Sequence, residues 1–189
     1  MHPPDGTAFL FDPGALCLEL LVTGGPGEFA RWESLHEPED LADWCARSRL
    51  RLDRSRLRVT AEDVTAARRL RDAVTRMVRG LLREEPHSPG DVAQVNRAAE
   101  HPPLVPRLSD GARIWALPCG AAQALSSVAR DAVDLFTGEH VHRIRECAAH
   151  DCQLLFVDVS RPGRRRWCSM DRCGNRAKVR ALRDRREGG

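Results

Sequence analysis

Residues 147–178 read CAAHDCQLLFVDVSRPGRRRWCSMDRCGNRAK, and the spacing inside this stretch decides the fold of the C-terminal part. Cys147 and Cys152 are separated by four residues, fifteen residues follow, and Cys168 and Cys173 repeat the spacing of four. Four thiolates supply the closed tetrahedral shell that structural zinc prefers, so Cys147, Cys152, Cys168 and Cys173 are the predicted ligands of one Zn2+. Iron–sulfur ligation also uses four cysteines, but at other usual spacings. Unligated thiols would leave a tail too small to hold its own core. His142 and His150 lie beside the first pair and read as solvated loop histidines, because four thiols already complete the shell.

Between the pairs, Leu154-Leu155-Phe156-Val157 predicts a buried strand, Arg161-Pro162-Gly163 a turn, and Arg166-Trp167 the returning strand into Cys168. After Cys173, Gly174 suits a residue with positive φ that closes the knuckle, and Asn175 suits an N-cap, which starts a helix at Arg176. Its helical spacing turns Val179 and Leu182 toward the metal core. Arg176, Arg180 and Arg183 then line one flank, and Lys178 and Arg185 the other. A hairpin plus helix around four cysteines is a treble-clef-like zinc finger.

Working outward, residues 147–189 hold 11 cations against 5 acids, and residues 1–146 hold 19 against 22. An acidic body with a basic arm points to an anionic partner, since cations that neutralise phosphates release counterions. The candidate nucleic-acid contacts are Arg164, Arg165 and Arg166 in the loop, with Arg176, Lys178, Arg180 and Arg183 on the helix. A module that binds single-stranded RNA, or nucleic acid without sequence preference, would use the same electrostatics, although the chain lacks a row of stacking aromatics.

Upstream, the pattern is mainly helical. Asp12-Pro13 reads as the start of a helix carrying Leu16, Leu20 and Leu21. Glu37-Pro38 opens a second, with Leu41, Trp44 and Cys45 on one face. Thr60 and Asp63 form a capping box before a long amphipathic face of Val64, Ala67, Val74, Met77, Val78 and Leu81. Ser88-Pro89-Gly90-Asp91 repeats the capping signal, and Asp110-Gly111 marks a hairpin turn. A last helix runs from Gly120 to Phe136, and Thr137-Gly138 marks the boundary between a domain of residues 1–138 and a finger of residues 139–189. The fold class is therefore α+β: a mainly α-helical N-terminal domain with a small β-hairpin, then the four-cysteine zinc finger. Cys119, just before the last helix, is either a thiolate favoured by the helix N-terminus or a small packing residue.

No cationic leader or long apolar run precedes the body, which predicts a cytosolic protein with no membrane contact. In a reducing compartment its seven cysteines are core thiols and metal ligands. Only Lys178 among the 30 cations is lysine, the composition of a GC-rich bacterial genome. Neither H-E-x-x-H nor G-x-S-x-G occurs, and Gly24-Gly25-Pro26-Gly27 lacks the Lys-Ser/Thr of a phosphate loop. With a closed metal shell besides, no enzyme is expected.

Trp167-Cys168-Ser169-Met170, followed by Cys173-Gly174-Asn175-Arg176 and Lys178, resembles the signature of the CGNR zinc-finger family. Phe11 to Glu19, with Pro38 to Trp44, resembles the ABATE domain that precedes this finger in stress-induced transcriptional regulators. Where that family has Asn-Thr after its first apolar helix, this chain has Val22-Thr23. The resemblance implies the same four zinc ligands, a DNA-binding finger, and an N-terminal domain that senses a small-molecule or stress signal. A second copy of the chain, as a homodimer, completes the set of expected partners.

Overall fold

The computed structural model describes residues 11–187, with the side chains of residues 184–187 excepted; Arg185 is among those left outside. The chain forms two compact units, one of Leu16–Glu139 and one that joins residues 11–15 to the segment from His140 onward. Among the described residues no helix is long and apolar enough to cross a membrane.

The first unit is built on five helices. Helix α1 (Leu16–Leu21) begins at Leu16, three residues after the expected Pro13. Asp12 turns its carboxylate onto the backbone N–H of Gly14 (2.8 Å) instead of capping a helix there. The cap comes from elsewhere in the chain: Asp131 accepts from the Cys17 N–H at 2.8 Å, satisfying a first-turn donor that has no partner within the helix. Helix α2 (Pro38–Arg47) starts as expected, with Asp40 accepting from the N–H groups of His36 and Glu37, and it buries Leu41, Ala42, Trp44 and Cys45.

Strand β1 (Leu57–Arg58) precedes α3 (Ala61–Leu82), where Thr60 and Asp63 form the predicted capping box. Helix α3 buries Val64, Ala67, Leu70, Val74, Met77 and Val78, and also Arg71, which is only 2% exposed. The Arg71 guanidinium grips Glu33 through two bonds of 2.8 and 2.9 Å, donates to Asp72 at 2.9 Å, and reaches the Thr23 carbonyl at 3.4 Å. A Cβ at Gly24 would stand 2.9 Å from Arg71 Nη1, so the glycine there makes room for this ion pair.

Helix α4 (Pro89–Glu100) begins where Ser88-Pro89 predicted, but the Ser88 side chain makes no capping bond. Asp91 is drawn instead to Arg76 of α3, at 2.6 and 3.0 Å. Strands β2 (Pro106–Ser109) and β3 (Ala112–Trp115) form the expected antiparallel hairpin. Asp110 and Gly111 both have positive φ, 49° and 76°, as the tight two-residue turn requires. Strand β4 (Cys119–Gly120) pairs in parallel with β1, an arrangement with no local sequence signal. Helix α5 (Ala121–Thr137) follows, burying an alanine-rich face with Leu125, Val128 and Leu135.

In the second unit, β5 (Ile144–Glu146) pairs antiparallel with β6 (Leu155–Val157), Ile144 opposite Val157 and Glu146 opposite Leu155. The strand predicted over residues 154–157 is present at Leu155–Val157, but its partner is not Arg166-Trp167. Residues 166–167 run instead along the first cysteine loop, where Ala148 N–H donates to the Arg166 carbonyl at 2.8 Å. The intervening loop is organised by buried Asp158, which accepts from the N–H of Ser160 (3.0 Å) and of Arg165 (2.8 Å). Burial alone would raise the Asp158 carboxyl, but these bonds and the one from the Ser160 hydroxyl hold it below the usual carboxylate value. Residues 11–15 complete the unit, the Pro13 carbonyl accepting from the Val157 N–H at 2.8 Å.

The C-terminal helix starts earlier than the sequence suggested. A wide π turn over Met170–Gly174, capped by Ser169, runs directly into α6 (Asn175–Glu187). Asn175 is already helical (φ −67°, ψ −40°), and its backbone N–H donates to the carbonyls of Met170 and Arg172 at the end of the π turn. Gly174 does not adopt positive φ. The space a side chain would take there is filled by Met170, whose Sδ would lie 2.6 Å from a Cβ. Because the π turn sets the phase of the helix, Val179 and Leu182 stand 48% and 52% exposed instead of packing on the metal core.

Candidate metal centre and basic face

The two cysteine pairs are brought together by the two ends of this small unit. Cys147 follows β5 and Cys152 precedes β6, so the first pair sits on the loop joining the strands. Cys168 leads into the π turn that carries Cys173. All four sulfurs lie within 4.8 Å of one another and all four residues are buried. Cys168 Sγ is 3.7 Å from Cys152 Sγ and 3.5 Å from Cys173 Sγ. Zinc bonds of about 2.3 Å in a tetrahedron put the sulfurs about 3.8 Å apart, so this donor set fits a single zinc ion. An iron–sulfur cluster spreads its cysteines over several iron atoms and needs a wider ring of sulfurs.

The thiols' own electrostatics support the same assignment. Hydrogen bonds from the Cys152 and Cys168 sulfurs pull the Cys147 thiol well below its ordinary value, while the bond with Cys147 pushes Cys152 up. Cys168 is likewise pushed up by its two neighbouring sulfurs and by burial. Crowded sulfurs without a cation must share protons, and a dication removes that constraint by stabilising all four as thiolates. The Cys168 N–H also donates to Cys147 Sγ at 3.3 Å, a backbone bond that orients a ligand sulfur. Phe156 is buried within the cysteine cluster, and Phe11, Leu154 and Trp167 pack against it. His150 stands outside the cluster; its Nδ1 faces Arg180 Nη1 at 3.0 Å.

The basic residues predicted to meet nucleic acid do not form one class. Arg164 and Arg166 are exposed on the loop, and Arg166 lies over the Trp167 ring at 5.0 Å. Arg165 is turned inward: its guanidinium stacks on Phe156 at 4.2 Å and donates to the carbonyls of Trp167 and Asp12. On α6, Lys178 and Arg183 are exposed, whereas Arg176 and Arg180 reach back to the first cysteine loop. Arg145, which the sequence reading passed over, joins Arg164, Arg165 and Arg166 around an open depression of about 450 Å³ that also takes in Glu146, Ala148 and Gly163. The signal was available in Arg143-Ile144-Arg145, just before the first cysteine, but only the hairpin pairing puts Arg145 beside the 164–166 loop.

Cys119 resolves toward packing. It is 3% exposed in the short β4 strand, and burial raises its thiol above the ordinary value even though Arg56 opposes the shift.

Comparison with known families assigns both units. The family ABATE, described as "Putative stress-induced transcription regulator", matches residues 14–139. The CGNR zinc finger matches residues 143–186. Comparison with curated proteins gives no match.

Proposed function

The chain belongs to the ABATE family and carries a CGNR zinc finger after that domain, and from this we propose a bacterial transcription regulator that binds DNA through the arginine-lined depression of the finger. The observation that carries the reading is the state of the 158–166 loop. Buried Asp158 and inward-turned Arg165 hold it rigid, so Arg164 and Arg166 are presented in a preset position on a metal-supported scaffold. Rigid presentation lowers the entropy lost when arginines order on phosphates, and guanidinium forks match phosphate oxygens in pairs. The exposed Lys178 and Arg183 of α6 extend the positive surface along the chain. Neither matched family is an enzyme family, and a tetrahedral zinc filled by four thiolates has no open position for water.

The helical unit is the natural receiver of a signal, since acids outnumber cations over residues 1–146 and such a balance does not favour a polyanion. The test is fluorescence anisotropy of the full chain with duplex DNA and with duplex RNA of equal length, before and after zinc is withdrawn by a chelator. The reading requires tighter binding to DNA and its loss with the metal. Equal or tighter binding to RNA would replace it with an RNA-binding function, and binding that survives zinc removal would separate it from the finger.

A further inference from the structure

The loop between the first two cysteines carries His150 and Asp151, and α6 begins two residues after the last one. Arg176 lies three residues beyond Cys173, a spacing that turns its side chain back over the preceding turn. Its Nη1 donates to Asp151 Oδ2 at 2.8 Å, its Nη2 to Asp151 Oδ1 at 3.1 Å, and the same Nη2 to Cys173 Sγ at 3.3 Å. One turn further on, Arg180 Nη1 stands 3.0 Å from His150 Nδ1. One guanidinium therefore touches a sulfur of the second pair and a carboxylate adjacent in sequence to Cys152 of the first.

We propose that Arg176 is a positioning residue of the metal centre, which clasps the two cysteine pairs and tempers the charge on the Cys173 sulfur, and is not a phosphate contact. Four thiolates around a dication leave an excess of negative charge, and an N–H donor to one sulfur stabilises it where it resides. The exposure of the pair matters to the argument. Arg176 and Asp151 are 40% and 44% exposed, so as a simple surface ion pair they would contribute almost nothing. Their effect comes from the geometry of the fork, which fixes the guanidinium against the sulfur. A lysine has no fork and would satisfy the carboxylate or the sulfur, but not both in this arrangement. Turning the guanidinium's fork onto phosphate would break bonds it already makes, whereas Arg164, Arg166, Lys178 and Arg183 are exposed and offer charge at no such cost. This role holds whatever polymer the finger binds.

The test uses the full chain, zinc-loaded for competition against a chromogenic chelator and Co(II)-substituted for absorption spectroscopy. Arg176→Ala should weaken zinc binding about 10- to 100-fold, as loss of an outer-shell partner does. It should also move the sulfur-to-cobalt charge-transfer band to lower energy, because a sulfur without its donor gives up electrons more readily. Arg176→Lys should recover part of the affinity, and Asp151→Asn, which loosens the fork that holds the guanidinium against the sulfur, should weaken zinc and move the band in the same direction by a smaller amount. Arg183→Ala, on the same helix, should change neither. Affinity equal to wild type in Arg176→Ala would overturn the proposal, and so would weakened affinity with an unmoved band, which is the mark of a general loss of stability. If Arg176→Ala fails to fold, Arg176→Lys decides: wild-type affinity and band there overturn it.

Discussion

Removing Arg164 and Arg166 together by substitution with alanine should take away two phosphate contacts and leave the finger intact. Both side chains are exposed, and neither donates to the backbone of the finger in the way Arg165 does. Each phosphate contact contributes about 0.9 to the slope of log affinity against log salt, so the double variant should show a slope shallower by about 1.8. Between 50 and 200 mM salt that difference corresponds to a loss of affinity about 12-fold smaller than in the wild type. The assay is anisotropy titration on one duplex at four or more salt concentrations, with zinc content and the circular dichroism spectrum checked for each protein. The weakening should be the same on unrelated duplexes, because phosphates carry no base identity. An unchanged slope would mean that these arginines are merely solvated, and the proposed face would be wrong even if the protein still bound DNA. Arg165 must stay out of the variant: with its guanidinium stacked on Phe156 and bonded to Trp167 and Asp12, its loss would perturb the metal unit and confuse the reading.

Two predictions concern the helical unit. Arg71→Ala should destabilise it by about 3 kcal/mol in urea unfolding, the low end for breaking a buried ion pair because Glu33 keeps some access to water. Burial alone would raise the Glu33 carboxyl, but Arg71 and the Leu35 N–H outweigh it and hold it below the usual value. The pair's contribution is therefore complete above the unfolded carboxyl pKa near about 4.3 and is lost as pH falls through the lower folded value. A variant that unfolds with wild-type acid sensitivity would refute this account. Cys119 should resist alkylation in the native protein at neutral pH, since burial both shields its thiol and raises its pKa; labelling at the rate of a free exposed thiol would contradict it.

The finger was legible in the sequence because its information is local. A doubled cysteine spacing specifies the ligands without reference to the rest of the chain, whereas the scaffold around them also takes in Ile144–Glu146 and residues 11–15. The helices from Glu37, Thr60, Ser88 and Gly120, and the hairpin at Asp110-Gly111, were legible for the same reason: caps, period and turn residues all lie within a few positions of the element they define. The places where sequence reasoning failed are those where a distant partner competes for a local signal. Asp91 abandons its helix for Arg76, Asp12 turns to Gly14 while Asp131 caps α1 from over a hundred residues away, and Ile144–Glu146 takes the place expected of Arg166-Trp167 beside β6.

The same distinction governs the arginines. The sequence by itself determined that the C-terminal segment is cationic and carries two cysteine pairs at metal-ligand spacing, because charge and spacing need no coordinates. Only the tertiary structure decided which cations are already bonded within the fold. Arg165 and Arg176 look no different from Arg164 and Arg183 along the chain, yet the first two are committed to an aromatic ring, to backbone carbonyls, and to Asp151 and a ligand sulfur. A guanidinium is long enough to reach any of several acceptors, and which one it takes depends on what the fold places within its reach.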